Sequence, residues 1–150
     1  MRVVVQKVKN ASVKVNKKLV GKINNGLLLL VGYEHKDYEN DILWITQKVV
    51  NMRIFNDYSQ KMNLSLKDTD GDILLISQFT LHASTKKGNR PSFLGSAVPE
   101  AAKILYQKTI NEFEKAIQKP IQTGIFGALM DVSMENHGPV TIILDSKNKE

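Results

Sequence analysis

Ile73-Leu74-Leu75-Ile76 is an unbroken apolar run that follows the turn-like Asp68-Thr69-Asp70-Gly71 and leads into Ser77-Gln78-Phe79-Thr80-Leu81. Apolar side chains at both parities of a short run predict a strand buried on both faces. Polar groups at the end of such a strand must be bonded or face a cleft, because an unpaired buried hydroxyl or amide costs about 1–3 kcal/mol. Ser77 to Leu81 is therefore the predicted floor of a functional site.

The length of 150 residues suits one domain with a filled core and no need of metals or disulfides. With no cysteine, disulfides, Cys-ligated zinc and thiol nucleophiles are excluded. Met1 to Lys7 has no secretory-signal pattern, and the longest apolar run, Leu27 to Val31, is too short to span a bilayer. A soluble, intracellular protein with no membrane partner is expected. Lys plus Arg exceed Asp plus Glu by 21 to 15, a net charge of +6. That balance favours polyanions, nucleic acid above all, but many basic proteins bind none.

Along the chain, Arg2 to Val15 carries apolar residues on both parities and predicts a long strand bent near Asn10-Ala11. A second strand, Leu19 to Ile23, follows the turn Asn16-Lys17-Lys18, and Leu27 to Val31 is a buried central strand. Ile42, Ile45, Val49 and Met52 share one face of a helix from Asp37, its predicted N-cap, with Trp44 and Val50 as packing residues. Arg53-Ile54-Phe55 and Met62 to Leu66 predict a hairpin. His82 to Ser96 is a long cationic loop suited to a ligand. Pro99 opens a second helix on which Ala102, Leu105, Thr109, Phe113 and Ile117 recur. Ala128 to Met134 predicts a strand, Glu135-Asn136-His137-Gly138-Pro139 a turn, and Val140 to Leu144 the last strand. Residues 145–150 are expected to fray.

No His-Glu-x-x-His, P-loop or Gly-x-Gly-x-x-Gly is present, and His35, His82 and His137 are scattered. No metal site is predicted. A nucleophilic Thr80 needs a general base within about 2.6–3.2 Å. His82 shares its strand face, but two residues of rise separate the backbones by about 6.6 Å. The pair meets only if the strand breaks after Leu81. Hydroxyls without an evident triad favour an oxyanion or positioning role, with backbone N–H groups at the strand end stabilising negative charge.

Ser77-Gln78-Phe79-Thr80-Leu81 together with Asn136-His137-Gly138-Pro139-Val140-Thr141 resembles the paired motifs of the D-aminoacyl-tRNA deacylases (the D-tyrosyl-tRNA(Tyr) deacylase family). Flanks agree in order: Gln6-Lys7-Val8, Gly26-Leu27-Leu28, Arg53-Ile54-Phe55, Gly88-Asn89-Arg90-Pro91-Ser92-Phe93 and Thr123-Gly124-Ile125-Phe126. The resemblance implies a homodimer with its active site at the subunit interface. Cis Gly138-Pro139 of one subunit would enter the other's pocket beside Ser77, Gln78, Phe79 and Thr80, its carbonyls filling the space an L side chain needs. It also implies that water cleaves the ester with help from the terminal 2′-hydroxyl and without a cofactor, and that glycyl-tRNA is a second substrate. On the same resemblance, the amides of Gln78, Phe79 and Thr80 are oxyanion candidates, and Lys7, Asn136 and Thr141 support the motif. Phe126 and Met130 would line the adenosine pocket, and Lys86, Lys87 and Arg90 would meet acceptor-end phosphates. The chain departs from the family at Lys7, where Arg is usual and where lysine makes no planar bidentate contact. His137 fills a position that the motif leaves open.

The expected fold is α+β, one domain over 1–150, with a mixed or mostly antiparallel, barrel-like sheet covered by two helices. The expected function is cytoplasmic editing of D-aminoacyl-tRNA. A basic nucleic-acid-binding module without turnover and an esterase with Thr80 as nucleophile are the alternatives.

Overall fold

The computed structural model describes residues 1–149. The described elements are β1 (Arg2–Val15), β2 (Lys18–Ile23), β3 (Gly26–Gly32), α1 (Glu39–Asn51), β4 (Phe55–Asn56), β5 (Met62–Leu64) and β6 (Asp72–Ser77). A 3-10 turn (Phe79–His82), α2 (Pro99–Ile117), β7 (Gln122–Thr123) and β8 (Asp131–Asp145) complete the order.

β3 and β6 pair in parallel, Leu27 opposite Ile73 through Val31 opposite Ser77. Leu27, Leu29, Ile73 and Leu75 enter a core shared with α1 and α2, whereas Leu28, Leu74 and Ile76 enter a second core on the other face. This two-sided burial is what the unbroken apolar runs predicted. β1 serves both cores in turn: Val3 and Val5 face the helices, and Val8, Ala11 and Val13 face the second cluster. Val8 faces away from Val5 by ordinary alternation, and the parity switches once, between Val8 and Ala11, where Lys9 is an extra residue in the register against β8. A one-residue slip turns every later side chain to the other face.

The main sheet has six strands: a path β2-β1-β3-β6-β7, with β8 on the other edge of β1. The ends of the path come together, since β2 lies against β6 and β7. A Cβ at Gly21 would stand 2.8 Å from the Thr123 carbonyl and 3.2 Å from Leu74 Cδ1, so the bare glycine lets this seam close. The result is a nearly closed mixed barrel around the second core, with the helices packed outside it. The β4–β5 hairpin forms a separate two-stranded sheet, as expected. Tyr33 Oη donates to Thr109 Oγ1 at 2.8 Å and Tyr106 Oη to the Leu75 carbonyl at 2.8 Å, which fixes α2 to the sheet. Burial pushes both phenols above their ordinary range.

Three expectations are corrected. The N-cap of α1 is Tyr38, not Asp37. Asp37 instead accepts the Glu34 N–H at 2.8 Å and pairs with the Met1 α-ammonium. Residues 135–139 do not turn the chain between two strands: β8 continues through them, held on both sides by β1. The chain end does not fray at 145. Ser146 is buried, its N–H bonded to the Met1 carbonyl at 2.9 Å, and Lys147 Nζ lies 2.7 Å from Asp41 Oδ2. Glu150, the last residue of the expected frayed end, lies outside the described residues.

Candidate active site

β6 ends at Ser77, opposite Val31, and the chain tightens at once into the 3-10 turn rather than running on as a strand to Leu81. The Gln78 N–H donates to the Val31 carbonyl at 2.6 Å. Of the three candidate amides, that of Gln78 is therefore spent on the sheet. The Phe79 and Thr80 N–H groups open the turn, where no intrahelical acceptor is available to them. Gln78 Nε2 donates to Thr80 Oγ1, and among the described residues this is the hydrogen bond that Thr80 Oγ1 makes. A glutamine amide is no general base, so this contact does not activate the hydroxyl.

Residues far away in sequence hold the turn. Arg2 Nη1 donates to the Leu81 carbonyl at 2.7 Å, while Nε and Nη2 donate to Asp145 Oδ2 at 3.0 and 2.8 Å. Ser96 Oγ donates to the Phe79 carbonyl at 3.0 Å, and the exposed Phe79 ring meets Phe93 edge-on at 5.0 Å. Burial alone would raise the Asp145 carboxyl, but the Lys147 N–H and the Arg2 guanidinium outweigh it and hold it below the usual range. Sequence reading missed Arg2, Asp145 and Ser96 because their partners lie across the fold. Phe93 lay within the quoted family flank.

The second motif forms an outward loop on β8. Gln6 pairs Thr141 and Val8 pairs Asn136, so the one β1 residue between them, Lys7, faces four on β8, His137 to Val140. The extra residues bulge out of the ladder. Gln6 Oε1 accepts from both Asn136 Nδ2 and Thr141 Oγ1, and the Val140 N–H donates to Asn136 Oδ1 at 3.0 Å. Asn136 and Thr141 thus close the neck of the bulge. Gly138 and Pro139 are exposed at its crest and their peptide bond is cis. Gly138 has φ +133, a conformation that L side chains rarely adopt, and a Cβ there would meet Val140 Cγ2 at 2.8 Å.

Lys7 takes no part in this neck. Its side chain is buried on the helix side, where Nζ donates to the Ile54 carbonyl at 3.0 Å and lies 5.7 Å from the Phe55 ring centre. Burial lowers its pKa. Phe126 is half-buried and tilted against Tyr106 at 5.6 Å, and the half-buried Met130 packs on the second core. Lys86, Lys87 and Arg90 are exposed on a loop closed by the Ser84–Ser92 bridge, with no ion pair among the described residues. His137 is exposed on the bulge, and His35 Nε2 lies 3.1 Å from the Leu94 carbonyl. Among the described residues no group of three or more His, Asp or Glu side chains is placed to hold a metal ion, and no helix is long and apolar enough to cross a membrane.

Within one chain the two motifs are apart. Ser77, Val31, Val3 and Leu144 lie in one row across four strands, and Thr141 is three residues further along β8. Three inter-strand steps span about 14 Å over the sheet, and three residues about 10 Å along it. Among the described residues no hydrogen bond or ion pair joins residues 77–82 to residues 136–141.

The family described as D-Tyr-tRNA(Tyr) deacylase matches residues 4–145, which include both motifs. The chain belongs to this family. Two relatives, each a D-aminoacyl-tRNA deacylase, agree over essentially the whole length. That of Flavobacterium psychrophilum is 55% identical over 150 residues, covering 100% of both chains. That of Christiangramia forsetii is 54% identical over 149 residues, covering 99% of both. Among solved structures, a c-Myc DNA Unwinding Element Binding Protein superposes with a TM-score of 0.91 at 36% identity, covering 97% of this chain and 98% of that one. A probable eukaryotic D-amino acid tRNA deacylase superposes at 0.80 and 20% identity, over 95% and 97% of the two chains, and shares the fold.

Proposed function

We propose that this chain hydrolyses the ester of D-aminoacyl-tRNA, releasing free D-amino acid and tRNA. Family membership over residues 4–145 supports the reaction class. The observation that carries the mechanism is the turn after β6: it offers the Phe79 and Thr80 N–H groups at an exposed rim, while the Thr80 hydroxyl is engaged by Gln78 and not by a base. Main-chain donors suit an oxyanion, and they ask for a nucleophile from elsewhere. In this reading water attacks the ester carbonyl, assisted by the 2′-hydroxyl of the terminal ribose, and the 3′-oxygen leaves.

The active unit is a homodimer. The Gly138-Pro139 bulge of one copy faces the Phe79 turn of the other, which accounts for two exposed motifs lying apart in one chain. Carbonyls of the bulge wall off the side of the α-carbon where an L side chain would project. A clash with rigid backbone discriminates more strongly than an apolar pocket. Glycine has no side chain to clash, so glycyl-tRNA is a second substrate. Lys86, Lys87 and Arg90 meet acceptor-end phosphates. The enzyme works in the cytoplasm, where aminoacyl-tRNA is made.

Incubation with D-tyrosyl-tRNA and L-tyrosyl-tRNA tests the reading, with release of the D-amino acid alone expected. Equal hydrolysis of both, or of neither, overturns it. Thr80→Val separates the esterase alternative, because full loss of activity in a folded protein would favour Thr80 as the nucleophile and substantial survival the RNA-assisted route. The name of the 36%-identical structural neighbour favours one further reading, nucleic-acid binding without turnover. Under that reading binding would be salt-sensitive and indifferent to Gly138→Ala.

A further inference from the structure

The first 33 residues carry seven Lys and Arg and no Asp or Glu. Three of these cations are accounted for: Arg2 pairs with Asp145, Lys9 with Glu135, and Lys7 is buried. The other four, Lys14, Lys17, Lys18 and Lys22, stand on the β1–β2 hairpin, all exposed and without an ion pair among the described residues. They supply four of the six net charges of the chain.

The hairpin presents them on a fixed frame. Asn16 and Lys17 turn the tip with φ of 49 and 65. Its base is anchored in the barrel seam by Gly21, and Val13 and Ile23 are buried in the second core. Lys22 is opposite Ser12, two residues from Lys14 on the same face of β1, and a register shift between Val13 and Lys14 lies between the two lysines. The carboxylate nearest by register is Asp131, opposite Lys14 on β8. No acid opposes Lys17, Lys18 or Lys22 in the strand pairing. Thirteen steps of β1 separate Val15 from Arg2, about 40 Å along the strand, and seven separate Lys14 from Lys7 at the bulge, about 23 Å, so the hairpin stands apart from both the turn that Arg2 holds and the bulge.

We propose that this hairpin is a second RNA-binding surface, taking sugar-phosphate backbone of the tRNA body well away from the nucleotides that carry the ester. The inference rests on the reading of the substrate as aminoacyl-tRNA. Lysines contribute point charges to phosphates, a sequence-independent term that shows as salt dependence. Distance from the reaction means that the hairpin acts on tRNA capture and not on the chemical step.

The test compares the wild type with Lys14→Gln/Lys18→Gln/Lys22→Gln in binding uncharged tRNA between 50 and 200 mM salt. Three lost phosphate contacts flatten the slope by about 2–3, so affinity falls about 16–64-fold less over that range. With D-tyrosyl-tRNA the variant raises KM and leaves kcat unchanged, whereas with a short D-tyrosyl-adenosine ester it matches the wild type. The all-arginine version of the three sites retains the wild-type slope. An unchanged slope in the glutamine variant overturns the proposal, as does a KM on D-tyrosyl-tRNA equal to that of the wild type. The binding arm decides it even if the wild type cleaves no D-ester, so its failure and that of the enzymatic reading are distinguishable.

Discussion

Replacing Arg2 with Met removes three hydrogen bonds and keeps most of the aliphatic stem. The pair with Asp145 is partly open, with side chains 38% and 20% exposed, and belongs at the weak end for ion pairs, below about 1 kcal/mol. The bond to the Leu81 carbonyl comes from a charged donor and in a buried setting would contribute about 1.5–3 kcal/mol. Discounted for exposure, the sum is about 1–2 kcal/mol of stability, which urea unfolding reads directly. Function should suffer separately. Deleting an oxyanion donor costs about 10²–10³ in kcat, and loosening the turn that carries one costs less. A tenfold fall in kcat on D-tyrosyl-tRNA with KM unchanged is expected, about 1.4 kcal/mol in the barrier. Asp145→Asn keeps the Leu81 contact and should lower kcat less. Wild-type kcat in Arg2→Met, alongside the stability loss, would refute the role of Arg2 in positioning Phe79 and Thr80.

Gly26→Ala should unfold the chain or cost about 3 kcal/mol or more in chemical denaturation, because its Cβ would stand 2.0 Å from the Asp72 carbonyl oxygen, a main-chain atom held by the ladder. A soluble, wild-type-stable Gly26→Ala would contradict the β3–β6 register. The docked chain end predicts an acid response. At Asp41 burial raises the carboxyl, but Lys147, Ser146 and the Tyr38 N–H overcome it and the net shift is downward. Its stabilisation is therefore complete above the unfolded value near 3.9 and lost as pH falls through the lower folded one. The melting-temperature gap between wild type and Asp41→Asn should narrow from pH 5 to pH 2, and a constant gap would argue against the Asp41–Lys147 contact.

The strands buried on both faces were legible because apolar residues at both parities have few other homes. Both helices were legible from their periodicity. Asp37 looked like a cap because local sequence offers an acid before a helix, yet an ammonium 36 positions away claims it. The chain end was misread for the same reason, since the partners of Ser146 and Lys147 lie at residues 1 and 41. Gly138-Pro139 reads as punctuation between strands, and only the long ladder with β1 reveals a bulge in a continuous strand. At the site, each motif is a run of neighbours in the sequence. What sequence could not supply was the braces: Arg2 on the Leu81 carbonyl, Ser96 on that of Phe79, Gln6 across the bulge neck. Each joins residues that only the folded chain brings together.

The β1–β8 ladder has a further consequence, for how the protein comes into being. It joins residues 2–14 to residues 131–145, the most distant pairing in the sheet. Contacts of that sequence separation are the slowest to find, since a long loop must close before any of them is rewarded. While the chain is still emerging from the ribosome, β1 can pair with β2 and β3 but shows its other edge bare. A bare edge of that length is a template for foreign strands. Both the bulge neck and the Arg2 brace wait on the same final strand, so a nascent chain stalled before residue 131 is sticky and has no active site.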